Sequence, residues 1–280
     1  MNAPRGNAPL AILVDGAGAD AATNWALDRA LHYGDGLFET MLVREGRVRF
    51  EALHRARLAE GCRRLHIVID PDLPWQQARQ LAGRHPQCTL KLLVSRGSAT
   101  ARGYAPAGNE QPRIVVLAYP PPHADEFPAR LRAITLRSSL GENPQLAGLK
   151  HCNRLEQVLA RRELQGQGAF EGLMASSSGL LVSGTMSNVF LELDGEWMTP
   201  ALDRCGVAGV MRAVVLREAA HFGLKVREAD LPMRQLARCT GLLLTNARMG
   251  IRVVHELDGR NLPDAPPLQT LLEKVRHLED

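Results

Sequence analysis

The chain offers few amines for chemistry, because only four of its 34 basic residues are lysines. One of them, Lys150, lies between an irregular segment and a predicted helix, in the sequence AGLKHCNRLEQVLA. A lysine becomes a nucleophile or a general base when burial or a neighbouring cation lowers the pKa of its amine. His151 and Arg154 are such neighbours. A solvated lysine at a helix start is the commoner case, so Lys150 by itself indicates amine chemistry only weakly.

Three other stretches suit the binding of an anion. GVAGVMRAVV (206–215) places small residues before a predicted helix, where backbone N–H groups and the helix dipole favour a phosphate. SSSGLLVSGTMSN (176–188) is rich in hydroxyl groups and glycine, which suits a backbone cradle. Arg57 lies three residues after His54 on one helix face and has the planar guanidinium that clamps a phosphate. Turns and surface arginines are common, but together with a lysine these stretches favour a phosphate-bearing cofactor.

Composition and motifs argue against several other classes of protein. No metal-binding motif occurs, and G-x-S-x-G, the motif of many serine hydrolases, is absent. The net charge of +4 is small and aromatic residues make up 4%, which disfavours nucleic-acid binding. No apolar run reaches the roughly 18 residues that a membrane span needs. Five scattered cysteines favour a reducing compartment, so we expect a soluble cytoplasmic protein with no membrane or nucleic-acid partner and no metal.

The elements that must position these residues alternate between strands and helices, and 280 residues suffice for two modest domains. The proline-rich stretch YPPPHADEFP divides them, which predicts a small N-terminal domain at 1–118, a linker at 119–129 and a larger domain at 130–280. In the first domain the patterns predict strands at 11–16, 88–97 and 112–122, a hairpin at 37–50 turning at Glu45-Gly46, and helices at 51–65 and 75–83.

Beyond the linker, hydrophobic periodicity predicts a second mixed unit. The predicted helices lie at 153–164, 207–223 and 268–278. The predicted strands lie at 130–140, 169–176, 179–184, 188–193, 224–231, 239–247 and 251–257.

Six motifs occur in an order typical of one enzyme family. They are YGDGLFET (33–40), HRARL (54–58), GLKHCNRLEQVLA (148–160), SGTMSNVF (183–190), TPALDRCGVAGVMR (199–212) and LLTNARMGI (243–251). With them the chain resembles the fold-type IV pyridoxal-phosphate enzymes over nearly its whole length. That family includes D-amino-acid and branched-chain aminotransferases and aminodeoxychorismate lyase. The resemblance implies an α+β, two-domain, D-amino-acid aminotransferase-like fold with the cofactor between the domains, and a homodimer.

The resemblance also implies roles for single residues toward pyridoxal 5'-phosphate (PLP). Lys150 matches the lysine that carries the cofactor, and Arg57 matches the arginine that holds its phosphate. The remaining cofactor contacts implied by the family lie in the second half of the chain, at Ser187, Asn188, Val210 and Met211.

Within the family, LKHCNRLEQVLA (149–160) and SRGSATARGY (95–104) are similar to the lyase. This implies conversion of 4-amino-4-deoxychorismate to 4-aminobenzoate and pyruvate, a step of folate synthesis, with Lys150 as general base. Lys150 or Thr40 would return the proton. The substrate carries two carboxylates, for which the 95–104 loop offers Arg96, Arg102 and Tyr104, unless it is simply a solvated arginine loop. The alternatives are an aminotransferase of the same fold and a cofactor-free binding protein, which would be colourless.

One position departs from the family. A glutamate commonly lies five residues before the asparagine of the S-N pair and contacts the pyridine nitrogen, but here that residue is Ser183. A carboxylate keeps the ring nitrogen protonated, whereas a neutral hydroxyl supports that protonation less well. We therefore expect the chain to be a poorer general aminotransferase. The lyase reaction should suffer less, because its product is aromatic.

Overall fold

The computed structural model describes residues 10–15, 17–18, 27–98, 103–128, 130–221 and 225–263. They form two compact units of mixed α and β structure, which confirms the predicted α+β class. The first unit contains the described residues up to Pro122 together with Lys150–Asn153. The second contains His123–Leu149 and the described residues from Arg154 onward. The division falls inside the predicted linker, but the return of Lys150–Asn153 to the first unit was not foreseen.

The first unit is built on an antiparallel sheet. Its strands are β1 (Ala11–Val14), β2 (Ala17–Gly18), β3 (Gly36–Arg44), β4 (Arg47–Val48), β5 (Cys88–Ser95) and β6 (Arg113–Tyr119). Its helices are α1 (Arg29–Tyr33), α2 (Glu51–Arg64) and α3 (Leu73–Arg84). The described strands are ordered β2-β1-β6-β5-β3-β4. Because α2 packs against β3 and α3 against β5 and β6, apolar side chains of the sheet are fully buried, among them Met41, Leu90, Leu92 and Val116.

The hairpin of this unit is confirmed, together with its turn. Glu45 and Gly46 have φ angles of 51° and 76°, and Arg44 pairs with Arg47 across the turn. A two-residue turn with positive φ at both positions has the twist that matches the flanking strands. The five-residue α1 was not predicted, since its single turn is too short to show helical periodicity. It begins at the N-cap Asp28 and ends at Gly34, which has a left-handed φ of 66°.

The second unit holds a mixed sheet. Its strands are β7 (Leu131–Leu140), β8 (Glu171–Ser176), β9 (Leu181–Gly184), β10 (Asn188–Leu193), β11 (Glu196–Pro200), β12 (Val226–Ala229), β13 (Gly241–Asn246), β14 (Gly250–Leu257) and β15 (Arg260–Asn261). Its helices are α4 (Leu155–Leu164) and α5 (Val210–His221). The order is β12-β11-β10-β13-β14-β7-β8-β9, with β15 beside β14. The unforeseen β11 forms a hairpin with β10, and the predicted helix at 268–278 lies outside the described residues.

The predicted start of α5 at residue 207 is wrong by three residues. Residues 206–208 pair with Gly148 instead, since Gly148 N donates to Gly206 O (3.0 Å) and Ala208 N donates to Gly148 O (3.0 Å). Gly206, the residue before the predicted start, has a φ of 90°, a conformation that favours glycine and lies outside the helical range. Within the described ranges, no helix is long and apolar enough to cross a membrane.

Candidate active site

Lys150 is held in the first unit by backbone pairing with the start of β3. Phe38 N donates to Lys150 O (2.9 Å), and Cys152 N donates to Gly36 O (2.9 Å). Asn153 continues this pairing, since its Nδ2 donates to Gly34 O (3.2 Å). A side chain at Gly34 would collide with Asn153, because a Cβ atom there would lie 2.2 Å from the Asn153 amide oxygen. Gly34, in the YGDGLFET motif, therefore allows the close approach that anchors the segment of Lys150.

The amine of Lys150 lies over one face of β3. Its Nζ is 4.3 Å from the centroid of the Phe38 ring, within the range of a cation–π contact. Alternate strand residues share a face, so Thr40 projects to the same side of β3 as Phe38. Lys91, opposite Thr40 on β5, brings its amine to 5.5 Å from the same ring. The structure thus places Lys150 and Thr40, the two residues predicted to move protons, on one side of the sheet.

Arg57 lies on the other side of β3, where it binds a buried carboxylate. Arg57 Nε donates to Glu39 Oε1 (2.8 Å), and Arg57 Nη2 donates to Glu39 Oε2. His54 Nδ1 lies 2.6 Å from Glu39 Oε2, and both His54 and Glu39 are fully buried. Burial opposes ionisation of Glu39, but the charge of Arg57 and the hydrogen bonds from Arg57 and His54 outweigh it and lower its pKa to about 2. This ion pair sets the plane of the Arg57 guanidinium. The sequence analysis did not identify Glu39 as the partner of Arg57.

Arg96 is bound within the first unit by several acceptors. Its Nε and Nη2 donate to Asp35 (2.8 and 3.1 Å), and Nη1 and Nη2 donate to the carbonyls of His66 (2.8 Å) and Leu65 (2.6 Å). Arg29 donates to the same carboxylate (2.8 Å). Burial opposes ionisation of Asp35, but hydrogen bonds from Arg96 and Arg29 lower its pKa below the usual range. The guanidinium of Arg96 is buried and bound to these acceptors, so the structure gives it a stabilising role within the first unit in place of the predicted substrate contact.

The far end of the 95–104 loop is held by Arg29. Its Nη1 and Nη2 donate to the carbonyls of Gly103 (3.4 Å) and Tyr104 (2.6 Å). The Tyr104 side chain is 84% exposed and its ring meets Tyr33 edge-on at 5.4 Å. Arg102 lies outside the described residues. Of the two predicted substrate contacts that the structure describes, Arg96 and Tyr104, it is Tyr104 that has an open side chain.

In the second unit, Asn188 joins two segments that the sequence places far apart. It is buried at the start of β10, and its Nδ2 donates to Val207 O (2.9 Å) just before α5. The backbone at Gly209 packs so closely against the Asn188 side chain that a Cβ atom there would lie 1.9 Å from Asn188 Oδ1. Helix α5 then begins at Val210, and its first N–H groups, which include those of Val210 and Met211, have no intrahelical partner. This is the arrangement predicted to receive an anion.

Ser183 and Ser187 are buried beside this arrangement. Ser187 Oγ donates to Glu171 Oε2 (2.8 Å), and Ser183 Oγ donates to Gly184 O (2.8 Å). Because its proton is engaged there, the Ser183 hydroxyl presents only its lone pairs to other groups.

Thr245 is a candidate that sequence reasoning missed. It lies on β13 directly opposite Asn188, and α5 packs against the same strand. Its hydroxyl is buried and has no hydrogen-bond partner within the part of the chain that the structure describes. Buried polar groups are nearly always hydrogen-bonded, so the Thr245 hydroxyl is available to bind a ligand at this place. The LLTNARMGI motif contains Thr245 and was the available signal.

The contact between Gly209 and Asn188 predicts a coupled pair of substitutions. Gly209→Ala should force Asn188 away from Val207 and lower the free energy of unfolding by about 1–3 kcal/mol, the usual cost of overpacking. Asn188→Ala removes the obstacle, so the double variant should be no less stable than Asn188→Ala alone. Urea unfolding of the three variants measures this. Gly83→Ala, where nothing lies within 4 Å of the added methyl group, is the control. Additive losses in the double variant would contradict the contact.

A family model, Amino-transferase class IV, matches residues 36–257. The chain belongs to this family. The aminodeoxychorismate lyase of Vibrio harveyi is 32% identical over 239 residues, which is 81% of this chain and 84% of the relative. The crystal structure of 4-amino-4-deoxychorismate lyase from Pseudomonas aeruginosa is similar with a TM-score of 0.87 and 41% identity, covering 95% and 98% of the two chains. The PLP-bound form of a hypothetical aminotransferase from Mycobacterium tuberculosis has a TM-score of 0.80 and 26% identity, covering 95% and 97%. These likenesses confirm the predicted family and its two-domain fold.

Proposed function

We propose that this chain is a PLP-dependent aminodeoxychorismate lyase, which converts 4-amino-4-deoxychorismate to 4-aminobenzoate and pyruvate. The observation that carries the proposal is the position of Lys150, whose amine is held over Phe38 on the side of β3 that Thr40 also faces. The similarity to lyases from two organisms, at 32% and 41% identity, selects this reaction from those of the family.

The residues present fit PLP. The first amides of α5 suit a phosphate, Asn188 packs directly against Gly209 just before them, and the orphaned hydroxyl of Thr245 lies opposite Asn188. We assign the cofactor phosphate to Arg57 and to the amides of Val210 and Met211. Ser187, Asn188 and Thr245 complete the contacts, and Lys150 carries the cofactor. When bound, PLP supplies an electron sink for the charge that proton removal leaves behind.

The amine of Lys150 acts as general base and removes the proton from substrate carbon C4. The C–O bond to the enolpyruvyl group then breaks, the ring becomes aromatic, and the enolpyruvyl group leaves. The methylene carbon of that group takes up one proton and becomes the methyl group of pyruvate. Lys150 or Thr40 delivers this proton, so one proton is taken and one returned, and no oxidant or reductant is consumed.

The two carboxylates of the substrate require cationic partners. We assign this role to Arg102, with Tyr104 forming a wall, while Arg96 holds the start of the loop through Asp35 and the carbonyls of Leu65 and His66. The bonds from Arg29 to the carbonyls of Gly103 and Tyr104 support this role, because they fix one end of the loop.

We also propose that the protein is a cytoplasmic homodimer. Leu155, Val158 and Leu159 are 77%, 60% and 60% exposed, and their spacing places them on one face of α4. Such an apolar stripe is typical of a surface that another chain covers. All five cysteines are free thiols, in keeping with a reducing compartment.

The proposed reaction is tested by mixing the purified protein with aminodeoxychorismate and measuring pyruvate and 4-aminobenzoate together. A yellow, PLP-loaded protein should release both in equal amounts. A loaded protein that releases neither, but converts D-alanine or branched-chain amino acids with a 2-oxo acid, would be the alternative aminotransferase. A colourless protein that takes up no PLP would contradict both enzymatic functions.

The serine at position 183 leads to a prediction about the relative rates of transamination and of the lyase reaction. Ser183→Glu places a carboxylate where the family commonly has one, which should raise the rate of the half-reaction with D-alanine at least about tenfold and change lyase turnover little. The loss of the visible absorbance of the bound cofactor on mixing with D-alanine measures the half-reaction. Ser183→Ala is the control, since it removes the hydroxyl and adds no charge. A strong rise in lyase turnover with unchanged transamination would contradict this interpretation of Ser183.

A further inference from the structure

Glu171, the first residue of β8, is a carboxylate that no solvent reaches, with 0% of its surface exposed. Burying a charge is costly unless hydrogen bonds and opposite charges compensate for it. The hydrogen-bond donors around Glu171 explain why a carboxylate lies on a strand otherwise rich in apolar residues.

Four of the five donors to Glu171 come from a single turn, which joins β9 to β10. Oε1 accepts hydrogen bonds from the N–H and the hydroxyl of Thr185, the former at 3.0 Å. Oε2 accepts them from Met186 N (3.3 Å) and Ser187 Oγ (2.8 Å). The fifth donor is the neighbouring Gly172 N (3.0 Å). Backbone N–H groups can only donate, so both oxygens act as acceptors. Arg161 Nη1 at 3.8 Å supplies a nearby positive charge.

The carboxylate packs directly on the turn that it binds. A Cβ atom at Gly184 would lie 2.7 Å from Glu171 Cδ and 2.3 Å from Ser187 Oγ, so only glycine fits. Gly184 N also donates to Ser187 O (2.8 Å), which closes the turn. Glu171 therefore determines where Ser187 lies and in which direction β10 begins.

Asn188, the residue after Ser187, links the position of this turn to the start of α5. Asn188 follows Ser187 and binds Val207 O (2.9 Å), and it contacts the backbone at Gly209 just before the helix. A displacement of the 184–187 turn moves Asn188, and with it the residues that precede the first amides of α5. Since buried polar networks are rigid when fully satisfied, a single carboxylate can set this geometry.

We propose that Glu171 is the positioning residue for the cofactor pocket: it holds the turn at 184–187 so that Ser187, Asn188 and the start of α5 match the bound cofactor. It touches neither cofactor nor substrate and acts through the turn. This inference rests on the proposed function, because it takes PLP as the ligand of this unit.

The test compares two buried or partly buried carboxylates that bind backbone in the same way. Glu171→Gln keeps the volume but replaces one acceptor with an amide donor that faces other donors. Glu163→Gln is the matched control. Glu163 Oε1 accepts from Arg137 N (2.8 Å), and its Oε2 accepts from Ser138 N (2.9 Å) and Ser138 Oγ (2.6 Å) on β7. The readouts are the melting temperature without cofactor, the Kd for PLP, and the visible circular dichroism of the protein saturated with PLP.

Glu171→Gln should bind PLP about 10–100-fold more weakly, as is common when a supporting residue is removed, and its dichroism band should be smaller at saturation. Glu171→Asp, which keeps the charge on a shorter chain, should recover part of both. Glu163→Gln should lower the melting temperature and leave PLP binding and dichroism unchanged. If Glu171→Gln does not fold, Thr185→Val removes one donor and should weaken PLP binding about threefold.

Unchanged PLP binding and dichroism in Glu171→Gln, or in Thr185→Val where that variant replaces it, would overturn the role of Glu171. Equal losses of PLP binding in Glu171→Gln and Glu163→Gln would also overturn it, because they would indicate a general loss of stability. A wild-type protein that takes up no PLP would instead contradict the proposed function.

Discussion

Lys150→Ala protein should form neither pyruvate nor 4-aminobenzoate above background. The proposed mechanism uses the Lys150 amine both to carry the cofactor and to remove the substrate proton, and loss of a general base alone lowers a rate by about 10²–10⁴-fold. Borohydride reduction followed by peptide mapping should label Lys150 in the wild-type protein and no lysine in the variant. Product release and labelling together check the reaction and the assigned residue.

Lys91→Ala is a matched control for this experiment. Both amines lie over the Phe38 ring, at 4.3 Å for Lys150 and 5.5 Å for Lys91, so both substitutions remove a cation from the same place. Only Lys150 belongs to the 150–153 segment that pairs with the start of β3. We expect the Lys91→Ala protein to bind the cofactor, to form both products and to be labelled by borohydride at Lys150. A borohydride label on Lys91 would refute the assignment of Lys150.

Glu39→Gln should lower the free energy of unfolding by about 3–5 kcal/mol, because it leaves the Arg57 charge without its buried partner. The variant should also bind PLP more weakly, since the guanidinium plane of Arg57 is set by Glu39. Urea unfolding at neutral pH measures the first effect and a PLP titration the second. Glu60→Gln is the control: Glu60 lies on α2, the helix that carries Arg57, and forms an exposed ion pair with Arg63. Exposed pairs contribute little, so this control should behave as the wild type.

The same carboxylate predicts how stability depends on pH. The pKa of Glu39 is about 2 in the folded protein and ordinarily 4.5, so its ionised form stabilises the fold above pH 4.5. This contribution is lost as the pH falls from 4.5 toward 2. The difference in unfolding free energy between the wild type and Glu39→Gln should therefore shrink over this range. A difference that stays constant down to pH 2 would show that Glu39 does not titrate as the structure implies.

Local sequence patterns determined most of the elements and predicted the chemistry of the candidate site. Residues close in sequence specify the Glu45-Gly46 turn, α2 and the strand beginning at Cys88. The periodicity of side chains and the φ preferences of turn residues are properties of such short segments. The lysine, the arginine of HRARL and the small residues before α5 were recognised by type and spacing. Helix boundaries were less predictable, since the start of α5 depends on hydrogen bonds to Gly148.

The sequence by itself therefore determined the α+β class and the family, and it predicted which residues carry the chemistry. Only the tertiary structure decided which groups hold them in place. Glu39 binds Arg57 from 18 residues away, Asn153 reaches Gly34, and Glu171 binds a turn 14 to 16 residues further along. None of these contacts follows from local spacing, because hydrogen-bonding and ionic partners are chosen by the pairing of distant strands and by the need to satisfy every buried polar group.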